Sequence, residues 1–203
     1  MRNFLFSRRP QILGTMVAGL TLAVVSGAPA QAALISTDAC DNATLTQPFA
    51  AYGDSAQYKL VSGGSFSGTS SNWTLSNGAR VQSGNGPAGS AGSLYLPAGA
   101  SAQSPFTCVD AAYPTFRFFG RNDGLLSTYL VQVVYKEPLL GPVALPVGVF
   151  ALSGSWQPSA PMLTASVVQG VLTGGTAQVA LRFTELTGGS QVDNVYVDPR
   201  MHW

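Results

Sequence analysis

Pro114-Thr-Phe-Arg-Phe-Phe-Gly-Arg-Asn-Asp-Gly-Leu-Leu-Ser-Thr-Tyr-Leu-Val-Gln-Val-Val-Tyr135 is the stretch that decides the fold. Phe116 and Phe118 alternate with Arg117, Phe119 and Arg121, and Val131, Val133 and Tyr135 alternate with Leu130, Gln132 and Val134. Period two means two strands, each with two chemically different faces. Asn122-Asp123-Gly124 between them tolerates positive φ, so the sequence predicts a hairpin. Phe116, Phe118, Val131, Val133 and Tyr135 belong to a core. Arg117, Phe119, Arg121, Leu130 and Gln132 then share the opposite face, an unusual set for a plain solvent surface.

The rest of the chain follows the same rhythm. From Tyr58 onward, short candidate strands at 58–61, 72–75, 79–82, 93–96, 101–108, 115–120, 129–136, 145–150, 162–168, 177–184 and 192–198 alternate with Gly/Ser/Asn-rich turns. Many short strands at such spacing predict an all-β sandwich or barrel. Ala177 to Thr184 alternates cleanly, with Val179, Leu181 and Phe183 inward. In 162–172 a helical face is also conceivable, but the Gly, Val and Thr content favours strand. Residues 33–57 lack periodicity and read as an N-terminal arm; 58–203 form the single domain.

Residues 1–32 have the order of an export signal. Arg2, Arg8 and Arg9 precede an uncharged apolar run from Ile12 to Val25, and Ala30-Gln31-Ala32 is a small-x-small cleavage site. The run of about 14 residues is shorter than the about 20 that a bilayer core requires, so no stable membrane span is expected. Ser7-Arg8-Arg9 fits the twin-arginine as well as the general secretory route. Removing 32 of the 203 residues leaves 171, with seven Lys/Arg and nine Asp/Glu, a formal charge of −2. That balance excludes a basic nucleic-acid patch. The expected location is extracellular. There Cys40 and Cys108, the only cysteines, would pair as a disulfide. Closing that loop would contribute about 4 kcal/mol on the chain-entropy account. Asn42-Ala43-Thr44 and Asn72-Trp73-Thr74 fit the glycosylation acceptor pattern.

Catalytic constellations are sparse. The sole histidine, His202, lies one residue from the end, no G-x-S-x-G occurs, and Glu137 and Glu185 are the only glutamates. Both glutamates read as solvated strand-end charges, so no acid–base pair for glycoside cleavage is expected. Gly84-Asn85-Gly86-Pro87-Ala88-Gly89 matches a dinucleotide fingerprint, but Pro87 and the following small residues replace the helix it needs. It reads as a turn.

Val61-Ser-Gly-Gly-Ser-Phe66, Asn72-Trp73-Thr-Leu75, Gly78-Ala-Arg-Val81, Ser93-Leu-Tyr-Leu96 and Val192-Asp-Asn-Val-Tyr-Val197 follow one another in an order that resembles galactose-binding-like jelly rolls. Carbohydrate-binding modules of families four and nine belong to that group. The resemblance covers roughly Tyr58 to Pro199 and implies a two-sheet jelly-roll sandwich. It also implies non-catalytic binding of an extracellular carbohydrate or cell-surface polymer. A structural or interaction protein of the cell surface without a sugar site is the alternative, and a hydrolase the third. The implied ligand-binding residues are Arg117, Phe119, Arg121 and Gln132, with Trp156 as a stacking platform or a core plug. In the family a Glu after the Phe helps hold structural calcium; here that position is Ser67, and the closing Asp pair is Asp193-Asn194. No cofactor is therefore expected beyond a calcium held in part by Asp193, with Asp54 or Asp198 as helpers. The ligand's identity and the oligomeric state stay open.

Overall fold

The computed structural model describes residues 44–68, 72–110, 115–124, 126–137, 141–164 and 176–198. The chain divides into two compact units, 1–34 and 35–203, and every described residue lies in the second. The expected leader 1–32, Cys40 and His202 lie outside the described residues.

Thirteen strands occur among the described residues: β1 (Lys59–Leu60), β2 (Thr74–Ser76), β3 (Arg80–Ser83), β4 (Gly92–Pro97), β5 (Ser101–Gln103), β6 (Thr107–Asp110), β7 (Thr115–Asn122), β8 (Thr128–Glu137), β9 (Gly141–Ala151), β10 (Gln157–Pro158), β11 (Met162–Leu163), β12 (Thr176–Thr187) and β13 (Gly189–Asp198). They form two antiparallel sheets. One runs β10-β7-β13-β4-β3, with β1 also on β13 and β11 also on β7. The other runs β2-β5-β12-β8-β9, with β6 also on β12. Consecutive strands change sheet repeatedly, for example from β4 to β5, from β7 to β8 and from β12 to β13. The fold is thus a jelly-roll β-sandwich.

The expected hairpin is not one. β7 pairs with β13 and β8 with β12, so the two strands face each other across the core. After Asn122 the chain leaves β7 for the other sheet instead of making a tight turn. The alternation is as expected: Phe116, Phe118, Val131 and Val133 are fully buried in the core, and Tyr135 packs at its margin. Phe118 meets Phe183 of β12 edge-on, with ring centroids 4.9 Å apart, and Tyr129 at 5.9 Å. Two strands that are each apolar on one face bury those faces best against each other, which pairing in one sheet does not achieve.

Three further details follow from side-chain chemistry. The expected strand 101–108 breaks at Pro105, which has no N–H to give to a ladder. Ser104 covers the break: its hydroxyl accepts the Leu181 amide at 2.9 Å, and both halves stay on β12. β9 carries Pro142 and Pro146 and is accordingly an edge strand. In β13 the apolar rhythm Val192, Val195, Val197 skips a residue because a bulge lies between Asp193 and Tyr196, with Asn194 at φ 50°. Asn tolerates that left-handed conformation better than most residues. Trp73 lies in the core beside Phe66 and donates to the Ser62 carbonyl at 3.1 Å.

Candidate functional site

A sandwich has two outer faces, and the residues singled out in the sequence are divided between them. Arg117, Phe119 and Arg121 project from the outer face of the seven-stranded sheet, whereas Gln132 lies on the six-stranded sheet. The single face expected for these four residues therefore does not exist, because β7 and β8 belong to different sheets.

The first of these faces is covered. Phe49, Tyr52 and Asp54 of the N-terminal arm lie on it. Phe49 stacks on Phe119 at 5.3 Å and meets Tyr58 and Tyr196 edge-on. Arg117 sits over the Phe49 ring at 4.2 Å, pairs with Asp54 at 2.6 Å, and gives two hydrogen bonds to the Ser159 carbonyl. Its side chain retains 7 % of its exposure and that of Asp54 19 %. Burial acts to raise the Asp54 carboxyl, but hydrogen bonds from Tyr58, Ala56 and Arg117 outweigh it and hold its pKa below the ordinary value. Arg117 is a clamp for the arm, and its donors are spent inside the protein.

The part of the same face around Gln191 and Asp193 is covered by the loop that follows β3. Trp156 donates to the Asn85 carbonyl at 3.0 Å, packs beside the Phe49–Tyr58–Phe119 cluster, and has Arg121 over its ring at 5.6 Å. Asn85 donates to Gln191, and Gln191 to Asp123. Asp193 is fully buried. It accepts from the Ser90 hydroxyl on one oxygen and from the Asn194 amide on the other. Burial pushes its pKa up to about 7 against those hydrogen bonds. The glycine-rich loop at 84–89 is a turn ending in one 3-10 turn, Pro87–Gly89, as expected. Gly86 is glycine for lack of room: a Cβ there would lie 1.5 Å from Ser90 Oγ and 2.8 Å from Asp193 Oδ2. Asp193 thus latches the loop onto the sheet. No group of three potential metal-ligating acids, cysteines or histidines occurs among the described residues, around Asp193 or elsewhere.

The outer face of the six-stranded sheet is different. Two cross-strand rows run over it. One is Thr74, Gln103, Arg182, Gln132 and Pro146; the other is Ser76, Ser101, Thr184, Leu130 and Val149. Strands lie about 4.8 Å apart, so five of them give each row a length of about 19 Å. Thr74, Ser76, Asn77, Gly99, Ser101, Gln103, Gln132, Arg182 and Thr184 line a depression of about 310 Å³. Arg182 is positioned by Gln103, whose carbonyl accepts from Nε at 3.1 Å and from Nη2 at 2.7 Å. Arg182 itself is one of the residues lining the depression. Amide, hydroxyl and guanidinium groups in a row, half-exposed or exposed, can engage a polyhydroxylated chain lying across the strands.

Of the implied ligand-binding residues only Gln132 lies here. Arg182, Gln103, Thr74, Ser76, Ser101 and Thr184 were not singled out. Part of the signal was in the sequence: with Val179, Leu181 and Phe183 inward, Arg182 and Thr184 must face outward. The same alternation continues to Glu185, which is fully buried rather than a solvated strand end. It accepts from the Ser190 hydroxyl and pairs across the ladder with Tyr129. Burial raises the Glu185 pKa despite hydrogen bonds from Ser190, Thr128 and Thr187. Burial and the nearby Glu185 charge raise that of Tyr129 as well. Cys108 is buried on β6.

No protein-family model matches the sequence, and no curated protein matches it. Solved structures similar to this chain include carbohydrate-binding modules and the enzymatically active domain of a bacteriophage tailspike protein. One is the N-terminal CBM22-1–GH10 modules of Clostridium thermocellum endo-1,4-beta-D-xylanase 10B complexed with xylohexaose. It has 15 % identity and a TM-score of 0.49, covering 71 % of this chain and 28 % of that one. The chain therefore spans just over a quarter of that structure's length. Another is the CBM22-1 xylan-binding domain of Paenibacillus barcinonensis Xyn10C, at 11 % identity and TM-score 0.47, covering 68 % and 93 %. A third is TmCBM61 in complex with beta-1,4-galactotriose, at 13 % identity and TM-score 0.44, covering 70 % and 98 %.

Proposed function

We propose that the chain is an exported, non-catalytic domain that binds extracellular carbohydrate on the outer face of its six-stranded sheet. The observation that carries this reading is the row Gln103–Arg182–Gln132, where adjacent strands present side-chain donors and acceptors along an open depression. Sugar hydroxyls are both donors and acceptors, and the hydroxyls of Thr74, Ser76, Ser101 and Thr184 match that dual character. A glycosidase would need two carboxylates flanking the bond to be cut, and none lines the depression among the described residues.

The test is affinity electrophoresis of the purified domain through a panel of soluble polysaccharides. At least one polymer should retard it. Arg182→Ala and Gln132→Ala should each weaken that retardation tenfold or more, while Arg121→Ala on the opposite face leaves it unchanged. Migration unaffected by every polymer, or an Arg182→Ala protein that binds as the parent does, sinks the proposal. Export carries two expectations of its own. The mature protein begins near Ala33, which N-terminal sequencing checks. Cys40 is bridged to Cys108, so titration of the unfolded, unreduced protein finds no free thiol.

A further inference from the structure

The depression carries a charge that the protein does not neutralise. Among the described residues Arg182 has no ion pair, and its hydrogen bonds go to the neutral carbonyl oxygen of Gln103. Two outward arginines of the other sheet are provided for: Arg117 pairs with Asp54, and Arg121 pairs with Asp123 and lies over Trp156. Around Arg182 the lining among the described residues is Thr, Ser, Asn, Gly and Gln, with no acid to oppose an incoming anion. Nor does an aromatic ring line it among the described residues. A neutral sugar chain is commonly gripped by stacking on such a ring; without one, orientation and affinity must come from polar and ionic contacts. A guanidinium fixed on one edge by Gln103 still offers the remaining N–H groups of its planar fork, the geometry that a carboxylate accepts.

Building on the carbohydrate-binding reading of the same face, we infer that the ligand is an acidic polysaccharide whose uronate carboxylate is held by Arg182. Gln103 is the positioning residue that sets the guanidinium, and Gln132 with the neighbouring hydroxyls takes the ring hydroxyls. Because the carboxylate sits in a half-exposed depression, salt screens the contact and binding weakens as ionic strength rises.

The experiment compares binding of the folded domain to polygalacturonate, to the same polymer after reduction of its carboxyl groups, and to neutral xylan, at 20 and at 500 mM salt. The inference expects polygalacturonate to bind at least tenfold more tightly than its reduced form, with the difference shrinking at high salt. Arg182→Gln, checked for an unchanged melting temperature, should erase the preference, and Arg182→Lys, which keeps the charge, should restore part of it. Equal binding of polygalacturonate and its reduced form overturns the inference while leaving a carbohydrate-binding domain in place. So does binding of xylan alone; a polygalacturonate affinity that Arg182→Gln does not change overturns both the inference and the placing of the site on this face. Failure to bind any of the polymers overturns the carbohydrate reading itself.

Discussion

Asp193→Asn should make the protein more stable at pH 8 and nearly remove one pH dependence of its unfolding. In the folded chain the Asp193 pKa lies at about 7, against 3.8 for the free group. A folded-state pKa above the unfolded one means that the fold prefers the protonated acid. Its stabilisation is fully present below about pH 3.8 and is lost as pH rises through 7. Each pKa unit corresponds to about 1.4 kcal/mol, so the full span is about 4 kcal/mol, of which about 2–3 kcal/mol falls between pH 5 and pH 8. Asparagine preserves the geometry. Its carbonyl can keep the Asn194 amide, and its NH2 can donate to Ser90 Oγ, which remains free to donate to the Gly92 carbonyl at 3.2 Å. Urea unfolding of parent and variant at pH 5, 6, 7 and 8 reads the effect. The parent should lose stability across this series relative to the variant. Parallel curves for the two proteins would refute the argument that burial of Asp193 outweighs its hydrogen bonds.

Glu185→Gln should raise the melting temperature at pH 7.5. The Glu185 pKa is raised by burial, so the carboxylate is a liability that grows as pH rises through its folded value. A variant that melts below the parent at that pH would show that the ionised form is the one the core accommodates. Phe49→Ala should cost about 3–5 kcal/mol in unfolding free energy, as expected for a buried aromatic, because its ring contacts Tyr58, Phe119, Tyr196 and the Arg117 guanidinium. The same variant, while folded, should keep its polysaccharide affinity, because the arm and the six-stranded sheet's outer face are separate surfaces. A loss of less than 1 kcal/mol would mean that residues 44–54 contribute little to the fold.

Period-two alternation carried most of the architecture. Phe116 and Phe118, Val131 and Val133, and Val179, Leu181 and Phe183 are inward as their spacing requires. Alternation says which side of its own strand a residue occupies, but not which strand lies next to it. That is why Arg117 and Gln132 were expected to be neighbours and are on opposite sides of the molecule. Pairing is decided by contacts between residues far apart in sequence, such as Arg182 with Gln103 and Gln132, and a single sequence does not display them. The bulge at Asp193–Asn194 left a trace, a skipped beat in the apolar rhythm. Glu185 shows the limit of reading by residue type: its charge suggests a solvated strand end, but its spacing from Phe183 puts it inward.

The two outer faces divide the polar residues by what has already been done with them. On the seven-stranded sheet, Arg117, Arg121, Gln191 and Asp193 have partners supplied by the arm, by Trp156 and by the loop through Asn85 and Ser90. A ligand arriving there would have to displace Phe49 or Trp156, along with the hydrogen bonds those segments make. On the six-stranded sheet, Gln103 and Arg182 satisfy each other only in part, and Gln132, Thr184 and Ser101 stand in line beside them. Binding needs groups whose hydrogen-bonding capacity is met by water in the free protein and can be transferred to a ligand at little cost. An arginine already buried in an ion pair fails that requirement however well its sequence context resembles a site. The half-exposed Arg182, held in place on one edge and open on the rest, meets it.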